Sequence, residues 1–230
     1  MSGTKTVADL AALVDQTLLS PKVGFAEASA WCSRNADRGF ATLCVAPTTV
    51  PLALGALEGT ATRVCSVVGF PLGYTTSEAK AEEAARLVRA GCAEIDMVVH
   101  IGALLEGSES YVRDDIVAVV GAVLGASEEA LVKVILETGY LGDEHIVSGC
   151  RLAEAAGATF VKTSTGFGPR GASTHDVELM RATVGDRLGV KAAGGIRDLE
   201  TALEMIHAGA SRLGTSSGLE ILDQLAARRG

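Results

Sequence analysis

Three lysines each follow a valine in a short apolar run: Lys133 in "LVKVILE", Lys162 in "FVKTS" and Lys191 in "GVKAAGG". Lysine is among the residues least often buried, because an ammonium loses far more on leaving water than a methyl group gains. If Val132, Val161 and Val190 face a helix layer, strand alternation turns all three lysines to the opposite face. Two carboxylates occupy similar runs, Asp96 in "EIDMVV" and Asp15 in "VDQTLL", where Asp15 is expected to end its strand. Burial and neighbouring cations both disfavour an ammonium, and together they can lower a lysine pKa from about 10.4 by several units. A neutral amine attacks aldehydes and ketones. Lys162 and Lys191 on adjacent strands therefore predict Schiff-base chemistry, with one amine reacting and the other acting through its charge. For Lys133 a structural role is preferred: Glu137 lies at i+4 on the same face, and the two are expected to form a salt bridge within the core.

Three Gly/Ser/Thr stretches follow the late apolar runs: "TSTGFG", "AGGIR" and "GTSSG". Any one could be ordinary turn chemistry. Three in succession around a lysine pair suggest backbone N–H groups facing an anion, helped by the dipole of a helix starting near Leu219. A phosphorylated carbonyl compound is the expected substrate. "GATFVKT" is not a nucleotide P-loop, because Val161 stands where that motif requires glycine.

The elements that must position these residues alternate strand and helix. Strands are expected at Val14–Thr17, Ala41–Val45, Arg63–Val68, Glu94–Val98, Val132–Glu137, Phe160–Thr163, Gly189–Ala192 and Arg212–Gly214. "RAGCAEIDMVV", "AAGATFVKTST" and "HAGASRLGTSS" repeat one pattern, a helix ending at Ala-Gly and turning into an apolar run, and "DRGFATLCVA" is a looser copy. Glycine ends such helices because it takes the left-handed conformation without a Cβ penalty. Between the repeats, "TTSEAKAEEAARLVRAG" is expected to open with a capping box from Thr75 to Glu78 and to bury Ala81, Ala84, Ala85 and Val88. Eight strands alternating with helices predict an α/β fold, a single-domain TIM (β/α)8 barrel over residues 1–230 with a short N-terminal helix. An open doubly wound sheet is the alternative. In a barrel, the chemistry gathers at the C-terminal ends of the strands.

Composition agrees with a compact catalytic body: 48% hydrophobic, 21% charged, and 27 glycines against 5 prolines, enough for a large core and many tight turns. A net charge of −8 argues against nucleic acid or an anionic membrane surface as a partner. Five scattered cysteines without a C-x-x-C pair point to a reducing cytoplasm rather than a disulfide framework or zinc site. The N-terminus carries no apolar stretch of signal-peptide length, and no later stretch is expected to span a membrane.

The stretches "DQTLL", "LCVAP", "GFPLG", "EIDMVV", "KVILET", "FVKTSTGF", "VKAAGGIR" and "RLGTSSG", in order from Asp15 to Gly218, resemble the signatures of the deoxyribose-phosphate aldolase family, class I aldolases on a TIM barrel. The resemblance covers nearly the whole chain, and the "KTSTGF" and "KAAGGIR" pair is its most specific part. It implies that Lys162 forms the Schiff base with open-chain 2-deoxy-D-ribose 5-phosphate, giving acetaldehyde and D-glyceraldehyde 3-phosphate. By the same resemblance Lys191 lowers the pKa of Lys162, Asp96 shuttles protons through water, Asp15 completes the proton network and Cys44 lines the pocket. Phosphate would meet Thr165, Gly166, Gly194, Gly195, Gly214 and Ser216, with Arg197 nearby. No cofactor or metal is expected, and a homo-oligomer, a dimer first, is implied. The chain departs from the family at His100, usually asparagine, and at Pro169 and Arg170, the latter expected to be solvated. It ends "AARRG", without the C-terminal tyrosine of some members, so proton exchange is expected to lean on Asp96 and water. A transaldolase-like Schiff-base barrel and a non-catalytic sugar-phosphate binder are the competing readings.

Overall fold

A computed structural model describes residues 6–228. Its strands are β1 (Val14–Leu18), β2 (Thr42–Val45), β3 (Arg63–Val68), β4 (Glu94–Val98), β5 (Leu131–Ile135), β6 (Phe160–Lys162), β7 (Gly189–Ala193) and β8 (Arg212–Thr215). They pair in parallel in sequence order, and β8 returns to β1 to close the barrel. The helices are α1 (Val7–Ala11), α2 (Phe25–Asn35), α3 (Val50–Ala56), α4 (Ser77–Arg89), α5 (Ile101–Leu105), α6 (Glu109–Ala126), α7 (Asp143–Ala155), α8 (Thr174–Val184), α9 (Leu199–His207) and α10 (Gly218–Ala227). The TIM barrel is thus the observed architecture, not the open sheet, and the eight expected strands match to within two residues. Among the described residues no helix is long and apolar enough to cross a membrane.

Strand alternation sorts the residues as their types demand. Val132, Val134, Val161, Val190, Ile95 and Met97 are buried in the main hydrophobic cluster with the inner faces of the helices. Burying each such side chain contributes about 1.5–3 kcal/mol. The intervening residues, Asp96, Lys133, Lys162 and Lys191, turn into the lumen. Parallel pairing then sets their level, with Asp96 opposite Lys133 and Lys162 opposite Lys191. Gly39, Gly91, Gly157 and Gly209, which close the four repeats, all take positive φ. At the N-terminal end of the barrel, the Phe160 ring lies so close to Gly189 that a Cβ there would sit 2.1 Å from it. The Arg212 guanidinium covers the same ring at 5.3 Å.

Two details differ from the sequence reading. The cap of α4 is Thr76 rather than Thr75, its side chain accepting from the Ala79 N–H, and Glu78 falls too early to close a capping box. The helix also buries Lys80, while Ala81 is only partly covered. Lys80 Nζ lies 2.6 Å from Asp115 Oδ2 on α6 and donates to the Val98 carbonyl, and Ser77 donates to the other Asp115 oxygen. Both charges are fully buried, so removing one leaves the other uncompensated. Lys80→Ala is expected to cost about 3–5 kcal/mol in urea unfolding, with KM unchanged because the pair lies outside the lumen; a loss below 1 kcal/mol would mean that water reaches Asp115.

Candidate active site

The lumen holds one continuous charge cluster. Asp96 Oδ2 accepts from both Lys162 Nζ and Lys191 Nζ, each at 2.7 Å, and Asp96 Oδ1 accepts from Lys133 Nζ at 2.8 Å. Below it, Lys191 also meets Asp15 at 2.6 Å, Lys133 meets Glu94 at 2.6 Å, and Arg212 bridges Asp15 and Glu94. Asp15 lies near the start of β1, not at its end, and holds the Thr42 hydroxyl as well. The buried carboxylates Asp15, Glu94 and Asp96 face four buried cations, Lys133, Lys162, Lys191 and Arg212.

Lys133 therefore does not pair with Glu137. β5 stops at Ile135, and Glu137 takes a left-handed backbone with φ 59°, which swings its carboxylate over the loop after β6. There it accepts from the Thr165 N–H and, in a short hydrogen bond, from the Thr165 hydroxyl. Burial raises its carboxyl above the ordinary value, against the lowering effect of those hydrogen bonds.

Burial would lower the two deeper ammoniums, but the carboxylates outweigh it. Lys191 is held above its ordinary range by Asp15 and Asp96, and Lys133 well above by Asp15, Asp96 and Glu94. Both lysines therefore keep their charge, Lys191 as the amine that acts electrostatically and Lys133 as a structural ion-pair member, though with other partners than Glu137. Reciprocally, burial would raise Asp96, and the ammoniums of Lys133, Lys162 and Lys191 hold it well below the carboxylate range; Asp15 is lowered by Lys133, Lys191 and Arg212 in the same way. A depressed carboxyl adds stability that is present above its unfolded pKa of about 3.9 and lost as pH falls through the folded value. A raised lysine adds stability that is present below about 10.4 and lost as pH rises through its folded value. The urea midpoint is therefore expected to stay nearly flat from about pH 5 to about pH 9 and to fall below about pH 4; a steep fall between pH 7 and 5 would contradict the cluster's charge assignment.

Above the cluster opens a cavity of about 360 Å³. Lys162 lines it, as do Thr165, Gly166, Gly194, Gly195, Arg197, Gly214 and Ser216. Lys191, Asp96, Asp15 and Cys44 are fully buried and do not line it. Lys162, 3% exposed, is thus the lysine of the three that a ligand can reach. A neighbouring cavity of equal volume shares the wall from Leu18 to Pro21 but contains no lysine. Gly166, Gly194 and Gly195 all have positive φ, and a Cβ on Gly194 would press on the Gly171 backbone at 2.9 Å. A Cβ on Gly214 would meet Lys191 Cε at 3.0 Å. The helix after this loop begins at Gly218, one residue before the expected start, and its first N–H is taken by Gln16 Oε1.

The departures at His100 and Arg170 have local roles. The His100 ring nitrogen caps α5 by accepting from the Ala103 N–H, the service an asparagine would also provide. Arg170 is not simply solvated: it forks onto Asp176 and the Thr138 carbonyl, locking the loop after β6 to α8. Sequence reasoning missed Glu137 as the partner of Thr165, and Glu94 and Arg212 as members of the cluster. Their positions at alternate sites in β4 and β8 were the available signal.

Comparison with known proteins gives a consistent result. Residues 10–224 match the model of the DeoC/LacD family aldolases. A deoxyribose-phosphate aldolase of Caldanaerobacter subterraneus subsp. tengcongensis is 47% identical over 220 residues, covering 96% of this chain and 95% of the relative. Deoxyribose-phosphate aldolase 1 of Cutibacterium acnes is 50% identical over 213 residues, 93% of this chain and 96% of its own. Among solved structures, the tetrameric deoxyribose phosphate aldolase of Aeropyrum pernix superposes with a TM-score of 0.88 at 32% identity, covering 97% of this chain and 93% of that one.

Proposed function

The chain belongs to the DeoC/LacD family of aldolases, and from that premise we propose that it reversibly cleaves 2-deoxy-D-ribose 5-phosphate to acetaldehyde and D-glyceraldehyde 3-phosphate through a Schiff base on Lys162. The observation that carries the assignment to Lys162 is its place: it shares an Asp96 oxygen with Lys191, yet stands on the cavity wall while Lys133 and Lys191 lie beneath. Lys133 and Lys191 each hold two or more carboxylates, whereas Lys162 has Asp96 alone.

Its amine adds to the open-chain aldehyde carbon, and loss of water leaves a protonated imine. Removal of the C3 hydroxyl proton breaks the C2–C3 bond, and the electron pair flows into the imine, which serves as the electron sink. Protonation of the resulting enamine at C2 and hydrolysis release acetaldehyde. Asp96 Oδ2, bonded to both Lys162 and Lys191, is the group placed to pass these protons through water. Lys191, kept charged by Asp15 and Asp96, supplies fixed positive potential beside the reacting nitrogen. The phosphate lies at the loop ends, on the backbone of Gly166, Gly194, Gly195 and Gly214 and on Thr165 and Ser216, with Arg197 at the exposed rim. The chain works in the cytoplasm, and it assembles as a homo-oligomer, the latter a reading that the Aeropyrum relative's tetramer supports.

The test is to incubate the protein with acetaldehyde and borohydride and to map the modified peptide. One reduced ethyl group on Lys162, together with turnover of deoxyribose 5-phosphate, is expected; dihydroxyacetone as the preferred donor would favour a transaldolase-like reaction, and sugar-phosphate binding without an adduct would favour a binding barrel. Glu137 gives a further check on the phosphate end. Two hydrogen bonds from Thr165 to a buried carboxylate set that loop, and hydrogen bonds to charged groups are worth about 1.5–3 kcal/mol. Glu137→Ala is expected to raise KM for the phosphorylated substrate by about tenfold or more, with less effect on unphosphorylated deoxyribose; equal effects on both substrates would remove Glu137 from phosphate positioning.

A further inference from the structure

The proposed reaction leaves Cys44 and Cys65 unused. They are register partners on β2 and β3, both fully buried, and their side chains turn to the same face of the barrel wall. Neighbouring parallel strands lie about 4.8 Å apart, within the Cα separation that a disulfide bridges. Cys65 Sγ is 3.3 Å from Asp96 Oδ1 and 3.4 Å from Lys133 Nζ, and the two sulfurs and an Asp96 oxygen all lie within 4.8 Å of one another. These three ligand atoms could embrace a metal ion, but the ammoniums already on Asp96 would repel one. The same charges favour a thiolate.

The two thiols are also unequal. The neighbouring Cys65 and the charges of Lys191 and Lys162 lower the Cys44 thiol despite its burial. Burial, with Cys44 and the Asp96 carboxylate beside it, pushes Cys65 well above the ordinary thiol value. One sulfur is thus set up as nucleophile and the other as its protonated neighbour. Neither sulfur lines the substrate cavity, so a peroxide must pass the cover between that cavity and the thiols. Thr17, the β1 register partner of Cys44, lines the cavity, and the thiols are covered by the partly buried Leu19 and Phe70.

We propose that Cys44 and Cys65 are an oxidisable pair, in which a peroxide entering by the substrate cavity converts Cys44 to a sulfenic acid and Cys65 closes it to a disulfide that reversibly stops turnover. The Cys44 thiolate attacks one peroxide oxygen, the O–O bond breaks and hydroxide leaves. The Cys65 sulfur then attacks Cys44 Sγ, the S–OH bond breaks, and the Cys65 proton departs in water. In sum, two thiols and one hydrogen peroxide give a disulfide and two waters. Closure removes the Cys65 hydrogen bond to Asp96 Oδ1 and a potential negative charge beside Lys162 and Lys191, which changes the setting of the proposed proton carrier. The disulfide chemistry rests on the thiols alone; only the activity readout depends on the aldolase reading.

The test uses the reduced full-length protein, hydrogen peroxide, alkylation of remaining thiols under denaturing conditions, and tryptic mapping without reductant. Cleavage after Arg38, Arg63 and Lys80 places Cys44 in residues 39–63 and Cys65 in residues 64–80. The expected product is that peptide pair joined and two hydrogens lighter, with Cys32, Cys92 and Cys150 alkylated. Deoxyribose 5-phosphate cleavage should fall in proportion to the joined fraction and return with dithiothreitol. In Cys65→Ser, Cys44 is expected to pass from sulfenic to sulfinic acid, and the lost activity should not return. Absence of the joined pair in the wild-type protein, or full recovery of Cys65→Ser after the same oxidation, overturns the proposal. If Cys65→Ser does not fold, the wild-type peptide map decides by itself.

Discussion

Lys162→Ala should lose turnover of deoxyribose 5-phosphate by about 10⁴-fold or more, the scale seen when a covalent nucleophile is removed, while unfolding at nearly the wild-type urea midpoint. Both halves follow from the same geometry. Catalysis is lost because Lys191 and Lys133 cannot stand in: they lie below the cavity and are held charged by Asp15, Asp96 and Glu94. Stability is kept because Asp96 still accepts from Lys133 and Lys191 after Lys162 is removed, so no buried carboxylate is orphaned. The cluster even sheds its surplus cation. Acetaldehyde and borohydride should leave no adduct on the variant. An adduct on Lys191 with measurable turnover would keep the Schiff base and move the nucleophile one strand over. Normal turnover would sink the covalent mechanism.

The barrel and the inward lysines were legible because both rest on period-two alternation and on glycines that only a left-handed turn requires. Val132, Val161 and Val190 are apolar for the helix side, so Lys133, Lys162 and Lys191 had to share the lumen. Loop glycines at 166, 194 and 195 were legible for a similar reason, since each needs positive φ. Partner choice was not legible. Glu137 has the right offset to meet Lys133 on a continuing strand, but β5 ends two residues earlier and a non-glycine left-handed turn sends the carboxylate to Thr165. Lys80 stands one turn before Ala84 on the buried face of α4, and its burial as a charged residue depends on Asp115, 35 residues away on α6. The carboxylates that keep Lys191 charged were hidden too. Sequence spacing places cations near one another, but the net sign of their surroundings depends on Asp15 and Glu94 arriving at the same depth from β1 and β4.

Asp96→Asn tests the part of the mechanism that a nucleophile variant leaves untouched. The carboxylate accepts from Lys162 and Lys191 through Oδ2 and from Lys133 and Cys65 through Oδ1. An asparagine of the same shape offers one acceptor oxygen and turns an NH₂ donor toward ammonium donors. The lumen would then hold two carboxylates against four cations, and breaking a buried pair in this way costs about 3–5 kcal/mol of stability. With the proton carrier gone, kcat should fall by about 10²–10⁴-fold. Imine formation should survive, because the change leaves the Lys162 amine on the cavity wall where the aldehyde reaches it. A folded Asp96→Asn protein is therefore expected to trap acetaldehyde on Lys162 with borohydride while cleaving deoxyribose 5-phosphate slowly. Loss of the adduct along with cleavage would make Asp96 a holder of the Lys162 side chain rather than a carrier of protons. Wild-type cleavage would assign proton transfer to another group, and Asp96 would remain only as the anion that lets three lysines share one barrel.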